Sequence, residues 1–148
     1  MRLYRMAFAL MALLYAVMLS TCHGDDLNVE LNVFSGLTNP VWNLKEEQAK
    51  EFLDMLGELA EVEGREPQEE GLGYRGLIVR DTSASASFED VSVFDCIVVA
   101  SAANSTSSYF DEDRMLELWL LETGKGKIDD ELFQEIRAEI VGIARTKR

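Results

Sequence analysis

The stretch EGLGYRGLIVRD, Glu70 to Asp81, decides between two fold classes. Its first half spells Gly71-x-Gly73-x-x-Gly76, the spacing of a dinucleotide-binding turn, which would mean an α/β fold if a strand preceded it and a helix followed. The order here is reversed. The charged, turn-rich segment EGREPQEE leads into Gly71, and the apolar residues Leu77, Ile78 and Val79 follow Gly76. No helix start is available to offer free backbone amides to a phosphate. The glycines are therefore read as a turn and a close approach at the start of a strand, and the chain as α+β.

Upstream, LNVELNVF alternates Leu27, Val29, Leu31 and Val33 against polar neighbours, which predicts a first strand over 27–34. Asn43, with Glu46 three residues on, has the form of a capping box. Ala49, Phe52, Leu53, Leu56, Leu59 and Ala60 share one face of the helix that follows, over about 44–62. Downstream, 88–100 reads as a strand interrupted by Asp95, either at a bulge or between two short strands, and SAANSTSS reads as a loop. A helix over about 111–123 stops at Gly124, and a last helix starts near Asp129 with Leu132, Phe133, Ile136, Ile140 and Ile143 on one face. The order strand, helix, strand, strand, helix, helix predicts a small single-domain α+β sandwich, a mainly antiparallel sheet with about three helices on one face.

The first 24 residues read as a signal peptide. Arg2 and Arg5 precede an uncharged run of 14 residues from Met6 to Leu19, and small and polar residues lead to Asp25. That run is shorter than the ~20 residues of a membrane span. Cleavage after Gly24 would leave one domain of 124 residues, 25–148, with no transmembrane segment. It would also remove Arg2, Arg5 and the single histidine, His23, so that 12 basic residues face 27 acidic ones, a formal charge of −15. Such a charge repels nucleic acid and attracts cations.

The composition excludes much chemistry. If the leader is removed no histidine remains, so neither Ser-His nor Cys-His nucleophile activation is available, and zinc sites built from His and Cys fail on the same count. Cys22 and Cys96 are the only cysteines, and Cys96, within FDCIVVA, is expected to be a small core residue. GKGK, Gly124 to Lys127, lacks the first glycine and the Ser or Thr of a phosphate loop, so it reads as a helix stop and a basic turn. Asp111-Glu112-Asp113 begins like a calcium loop, but Leu116 stands where the sixth position needs glycine, and Leu116 and the twelfth residue, Glu122, lie inside a helical pattern, so these acids are read as favouring a helix N-terminus. No catalytic, cofactor-binding or metal-ligating residue is assigned. Asn104-Ser105-Thr106 is an acceptor triplet for N-glycosylation.

VFSGLTNPVWNL supplies the most distinctive residues: Phe34, Ser35, Gly36, Asn39, Pro40 and Trp42. This pattern resembles the signature of uncharacterised small domains in which Phe-Ser-Gly is followed by Asn-Pro and an aromatic residue. Leu37 and Thr38 replace the Arg-Pro of that signature. The resemblance extends to LGYRG and LELWLLETG, and it implies no activity. On physical grounds Pro40 stiffens a turn between strand and helix and Trp42 covers an edge of the core, with a binding loop as the other reading. In bulk character the chain is similar to acidic extracellular matrix proteins of calcifying animals.

Leader and charge together give the expectation of a secreted, extracellular, acidic, non-enzymatic protein of an extracellular or mineralised matrix. Its partners would be matrix components and, weakly, calcium or a mineral surface. The alternatives are a bacterial periplasmic module lipid-anchored through Cys22, using the Phe34 to Trp42 loop, and a carboxylate-dependent hydrolase.

Overall fold

The computed structural model describes residues 27–34, 36–65, 73–83 and 87–146. The leader with Cys22, as well as Ser35, Gly71 and Leu72, lies outside the described residues.

The α+β class holds. Seven strands form one antiparallel sheet: β1 (Leu27–Leu31), β2 (Val41–Asn43), β3 (Ala60–Glu61), β4 (Leu77–Asp81), β5 (Asp90–Phe94), β6 (Ile97–Ala102) and β7 (Ser105–Phe110). Their order across the sheet is β2-β1-β4-β5-β6-β7-β3. Among the described residues three α-helices accompany the sheet: α1 (Glu46–Glu58), α2 (Met115–Thr123) and α3 (Asp130–Thr146). Among the described residues no helix is long and apolar enough to cross a membrane.

The core follows the strand period. Leu27, Val29 and Leu31 of β1, Leu77 and Val79 of β4, and Val91 and Val93 of β5 are buried at alternate positions. Helix α2 packs over β4 and β5 and meets both α1 and α3. It brings Leu116, Leu120 and Leu121 into the core, beside Phe52 of α1 and Phe133, Ile136 and Ile140 of α3. Phe52 meets Phe88 edge to face, with ring centroids 6.3 Å apart. Asp129 caps α3, its Oδ1 accepting from the N–H groups of Glu131 and Leu132 at 3.0 and 3.1 Å.

Several boundaries differ from the sequence reading, each for a local reason. Val41–Asn43 is a strand, because it pairs with β1 in the register Val29↔Trp42. Asn43 therefore belongs to β2, and Lys45 takes the cap position. The Lys45 N–H donates to Gln48 Oε1 at 3.0 Å, only the returning half of a capping box, since lysine has no side-chain acceptor. Helix α1 stops at Glu58 because Ala60 and Glu61 pair with Phe110 and Tyr109 of β7.

Asp95 separates two strands rather than marking a bulge. Asp95 and Cys96 form the two-residue turn between β5 and β6, both with positive φ (48° and 70°), as a turn matched to strand twist requires. Cys96 is consequently half-buried at a turn and is not the core residue its apolar neighbours suggested. SAANSTSS is a hairpin rather than a loop: Ala103 and Asn104 turn the chain, and Ser105 begins β7. The helix expected from Asp111 is broken. A short 3-10 turn, Glu112–Arg114, precedes α2, with Asp113 and Arg114 at φ 56° and 57°.

Gly73 and Gly76 enable the turn and close approach expected of them, with φ of 117° and 102°. Asn32, one residue beyond β1, faces both Arg75 and Gly76: its N–H donates to the Gly76 carbonyl and its own carbonyl accepts from the Arg75 N–H, a bulge-like offset before β4. A Cβ on Gly76 would lie 2.5 Å from the Val93 carbonyl oxygen and 2.7 Å from Phe94 Cβ. Gly76→Ala therefore combines a strained φ with a clash against backbone. The expected loss is more than about 2 kcal/mol of unfolding free energy, read from urea melts against the wild type.

Candidate functional site

The residues of the Phe34 to Trp42 segment divide between an anchored base and an open tip. Asn39 closes the base. Its Oδ1 accepts from the N–H groups of Val33 (3.2 Å) and Phe34 (2.9 Å), and its Nδ2 donates to Glu30 Oε1 (2.8 Å). Glu30 also pairs with Arg80 on β4. The hydrogen bond from Asn39, and then the contact with Arg80, hold the Glu30 carboxyl below its ordinary range. The Pro40 carbonyl accepts from the Leu31 N–H at 2.9 Å, continuing the ladder where a proline can still take part, as an acceptor. At the tip, Gly36 (φ 84°), Leu37 and Thr38 are exposed, Leu37 by 72%.

Trp42 is buried in β2 and joins the opposite end of the chain. Its Nε1 donates to Thr123 Oγ1 at 2.9 Å, and the Thr123 hydroxyl donates to the Leu120 carbonyl at 2.6 Å. The indole lies so close to Gly124 that a Cβ there would sit 2.8 Å from Trp42 Cζ2. The glycine that ends α2 is thus also the floor under the indole. Lys127, in the basic turn, donates from Nζ to the Asn43 carbonyl at 3.0 Å. Arg75 reaches the same region, its Nη2 donating to Asn32 Oδ1 (2.9 Å) and the Phe34 carbonyl (3.1 Å).

A buried polar cluster joins the remaining motif residues. Arg114 donates to Glu117 through two parallel bonds, Nε to Oε2 at 2.6 Å and Nη2 to Oε1 at 2.7 Å, and neither side chain is exposed at all. The Tyr74 hydroxyl donates to Glu117 Oε1 at 2.6 Å. Phe94 supports both partners: its ring meets Tyr74 edge to face at 5.7 Å, and the Arg114 guanidinium lies 5.9 Å from its centroid. The Asp111 carboxylate accepts from the N–H groups of Leu116 (2.9 Å) and Glu117 (3.1 Å) and so caps α2. The expected role of Asp111 at a helix start thus takes a specific form, one that operates across the left-handed pair Asp113-Arg114.

Burial raises the carboxyl of Asp111, opposed by the backbone N–H groups it accepts. Burial likewise raises Glu117, opposed by Arg114. The Arg114 guanidinium resists its own burial through the hydrogen bonds and charge of Glu117. Burial and then the Glu117 charge push the Tyr74 phenol well above its ordinary value. Shifted carboxyls often mark catalytic acids. Here both belong to a sealed core and their oxygens are engaged with arginine, tyrosine and backbone. Sequence reasoning missed this cluster. Its one local signal was an arginine three residues before a glutamate on a strongly apolar helix.

A groove of about 360 Å³ lies between Glu61–Arg65 and the Thr106–Ser108 part of β7, with the Ser108 hydroxyl donating to the Arg65 carbonyl at 2.8 Å. Among the described residues no three His, Cys, Asp or Glu side chains converge to hold a metal ion. Asn104 stands exposed in the turn between β6 and β7. No family model, no curated protein and no solved structure matches the chain.

Two outcomes follow for the buried cluster. Glu117→Gln removes the carboxylate that is hydrogen-bonded to the enclosed Arg114 guanidinium and should lower stability by about 3–5 kcal/mol, measured by denaturant unfolding. Tyr74→Phe should cost roughly 1–3 kcal/mol at neutral pH. Because the folded phenol titrates above the unfolded one, its contribution is complete below pH ~10 and fades as pH rises beyond that, at up to about 1.4 kcal/mol per pH unit. Unfolding curves from pH 8 to 11 should therefore fall less steeply in Tyr74→Phe than in the wild type, and equal slopes would contradict the assignment.

Proposed function

We propose that the protein is a secreted, non-enzymatic, acidic component of an extracellular or mineralised matrix, acting through diffuse, weak attraction of calcium or a mineral surface. One observation carries this reading. Glu47, Glu51, Asp54 and Glu58 are all exposed on α1 and recur at intervals of four, three and four residues, so they form one stripe along the helix, with Lys50 beside it. Neighbours at these spacings are about 5–6 Å apart at Cβ, too far apart and too solvated to enclose an ion as a preformed cage. A stripe of this kind presents a negative field instead, strong at short range and screened beyond about 8–10 Å at ordinary salt. Affinity for calcium from scattered carboxylates is then roughly millimolar. The formal net charge of −13 for the whole chain works in the same direction.

The test is retention on calcium carbonate together with calcium calorimetry. The wild type should be retained at low salt and released by raised salt, with shallow heats that reach no saturation below the millimolar range. The variant Glu47→Gln, Glu51→Gln, Asp54→Asn, Glu58→Gln alters only exposed side chains and should fold as the wild type does. Its retention should fall at least severalfold. Equal retention of variant and wild type would overturn the role of the stripe, and no retention of either would overturn the mineral reading.

A further inference from the structure

The geometry points to Asn104 as a site of asparagine-linked glycosylation, an inference that rests on the proposed secretion of the chain. Asn104 is the only asparagine followed two residues on by Ser or Thr; Asn28, Asn32, Asn39 and Asn43 are followed by Glu30, Phe34, Val41 and Lys45. The triplet alone says little about the folded protein. What the structure adds is its position. Ala102 pairs with Ser105, so Ala103 and Asn104 form a two-residue turn at the end of the β6–β7 hairpin. The four residues Ala103 to Thr106 are all exposed. Strand β6 begins buried at Ile97 and Val98 and is only half-buried from Val99 onward, so this hairpin runs out past the core toward solvent.

The amide of Asn104 is also free to be modified without loss to the fold. The side chains of Asn32 and Asn39 are built into the base of the β1–β2 connection, whereas no described hydrogen bond uses the Asn104 side chain. The donor implied is an oligosaccharide carried on a lipid pyrophosphate. The Asn104 Nδ2 forms a bond to the anomeric carbon, the bond from that carbon to the pyrophosphate oxygen breaks, the lipid pyrophosphate leaves, and the amide loses one proton. The Thr106 hydroxyl completes the acceptor triplet.

A glycan at this turn has a physical consequence. Strand β3 pairs with β7 only at Tyr109 and Phe110, and the Val62 N–H extends the contact to the Ser108 carbonyl. No described strand pairs with the outer edge of β7 at 105–107. A bulky, solvated substituent at Asn104 stands next to that edge and hinders another strand from adding to it.

The experiment expresses the full chain in a eukaryotic secretory host, once with its own leader and once with the leader of an established secreted protein. Secreted material is treated with peptide N-glycosidase and mapped. The expected result is one glycosidase-sensitive mass step, with aspartate found at position 104 after treatment. That step should be lost in Asn104→Gln and Thr106→Ala and kept in Thr106→Ser, while Asn104→Gln melts as the deglycosylated wild type does. Protein secreted through the substituted leader with Asn104 unmodified would overturn the inference, as would a mass step that persists in Asn104→Gln. Failure of the native leader alone, with glycan present under the substituted one, would overturn the secretion reading and with it modification of the native chain, while showing that the turn at Asn104 is a competent acceptor.

Discussion

An arginine and a glutamate with no solvent exposure constrain everything built around them. Taking the two charges out of water costs several kcal/mol for each ion, and only close, two-point contact with further hydrogen bonds offsets it. Glu117 meets that condition, held at two points by Arg114 three residues away and at a third by Tyr74, while Arg114 Nη1 has no hydrogen-bond partner among the described residues; the backbone bends to allow the pair. Asp113 and Arg114 both adopt left-handed φ, a conformation that disfavours non-glycine residues by roughly 1–2 kcal/mol each. The amides exposed by that break are taken by Asp111. Tyr74 supplies the remaining donor, and its ring reaches Phe94 because Gly76 lets the start of β4 lie against β5. Strand, hairpin and helix are fixed to one another at this point.

The motif residues around this cluster serve the same end. Trp42 joins β2 to the last residue of α2, Tyr74 joins the start of β4 to the first turn of α2, and Arg75 joins that same start to Phe34. Stretches remote in sequence hold each other through a few side-chain hydrogen bonds, and those of Trp42 and Tyr74 are buried, where a bond lost leaves a polar group without water. A pattern of this kind specifies a fold before it specifies a ligand. The surface left for partners is elsewhere: the exposed loop tip from Gly36 to Thr38, the acidic face of α1 and the outer part of β7.

How much of this the sequence disclosed depended on the physical signal each element carries. Strands β1 and β4 and helices α1 and α3 were legible because one face of each is apolar at the period of its backbone. Strand β7 was not, since Ser105 to Ser108 are exposed or half-buried and show no alternation. The two shortest strands, Val41–Asn43 and Ala60–Glu61, exist through pairing with β1 and β7, and pairing across long sequence separations leaves no local trace. The inward role of Trp42 was anticipated from its place beside the strand-to-helix turn. The buried ion pair was hidden because Arg114 and Glu117 look like ordinary helix-surface residues until the left-handed turn directs them inward.

The path of α1 has a consequence for how the chain folds. The segment between β1 and β4 supplies both outermost strands, β2 at one side of the sheet and β3 at the other, and α1 is the link between them. Six inter-strand spacings of about 4.8 Å put those sides roughly 29 Å apart, and a 13-residue helix covers about 20 Å of that. The β2 side needs only β1, its neighbour in sequence, whereas the β3 side cannot be completed until β7 stands in place. The hairpins β4–β5, β5–β6 and β6–β7 close through short connections and can form early, whereas the pairings of β1 with β4 and β3 with β7 wait on distant chain. The expected kinetics are those of a slow, single cooperative step in which the crossing helix arrives with the last strands.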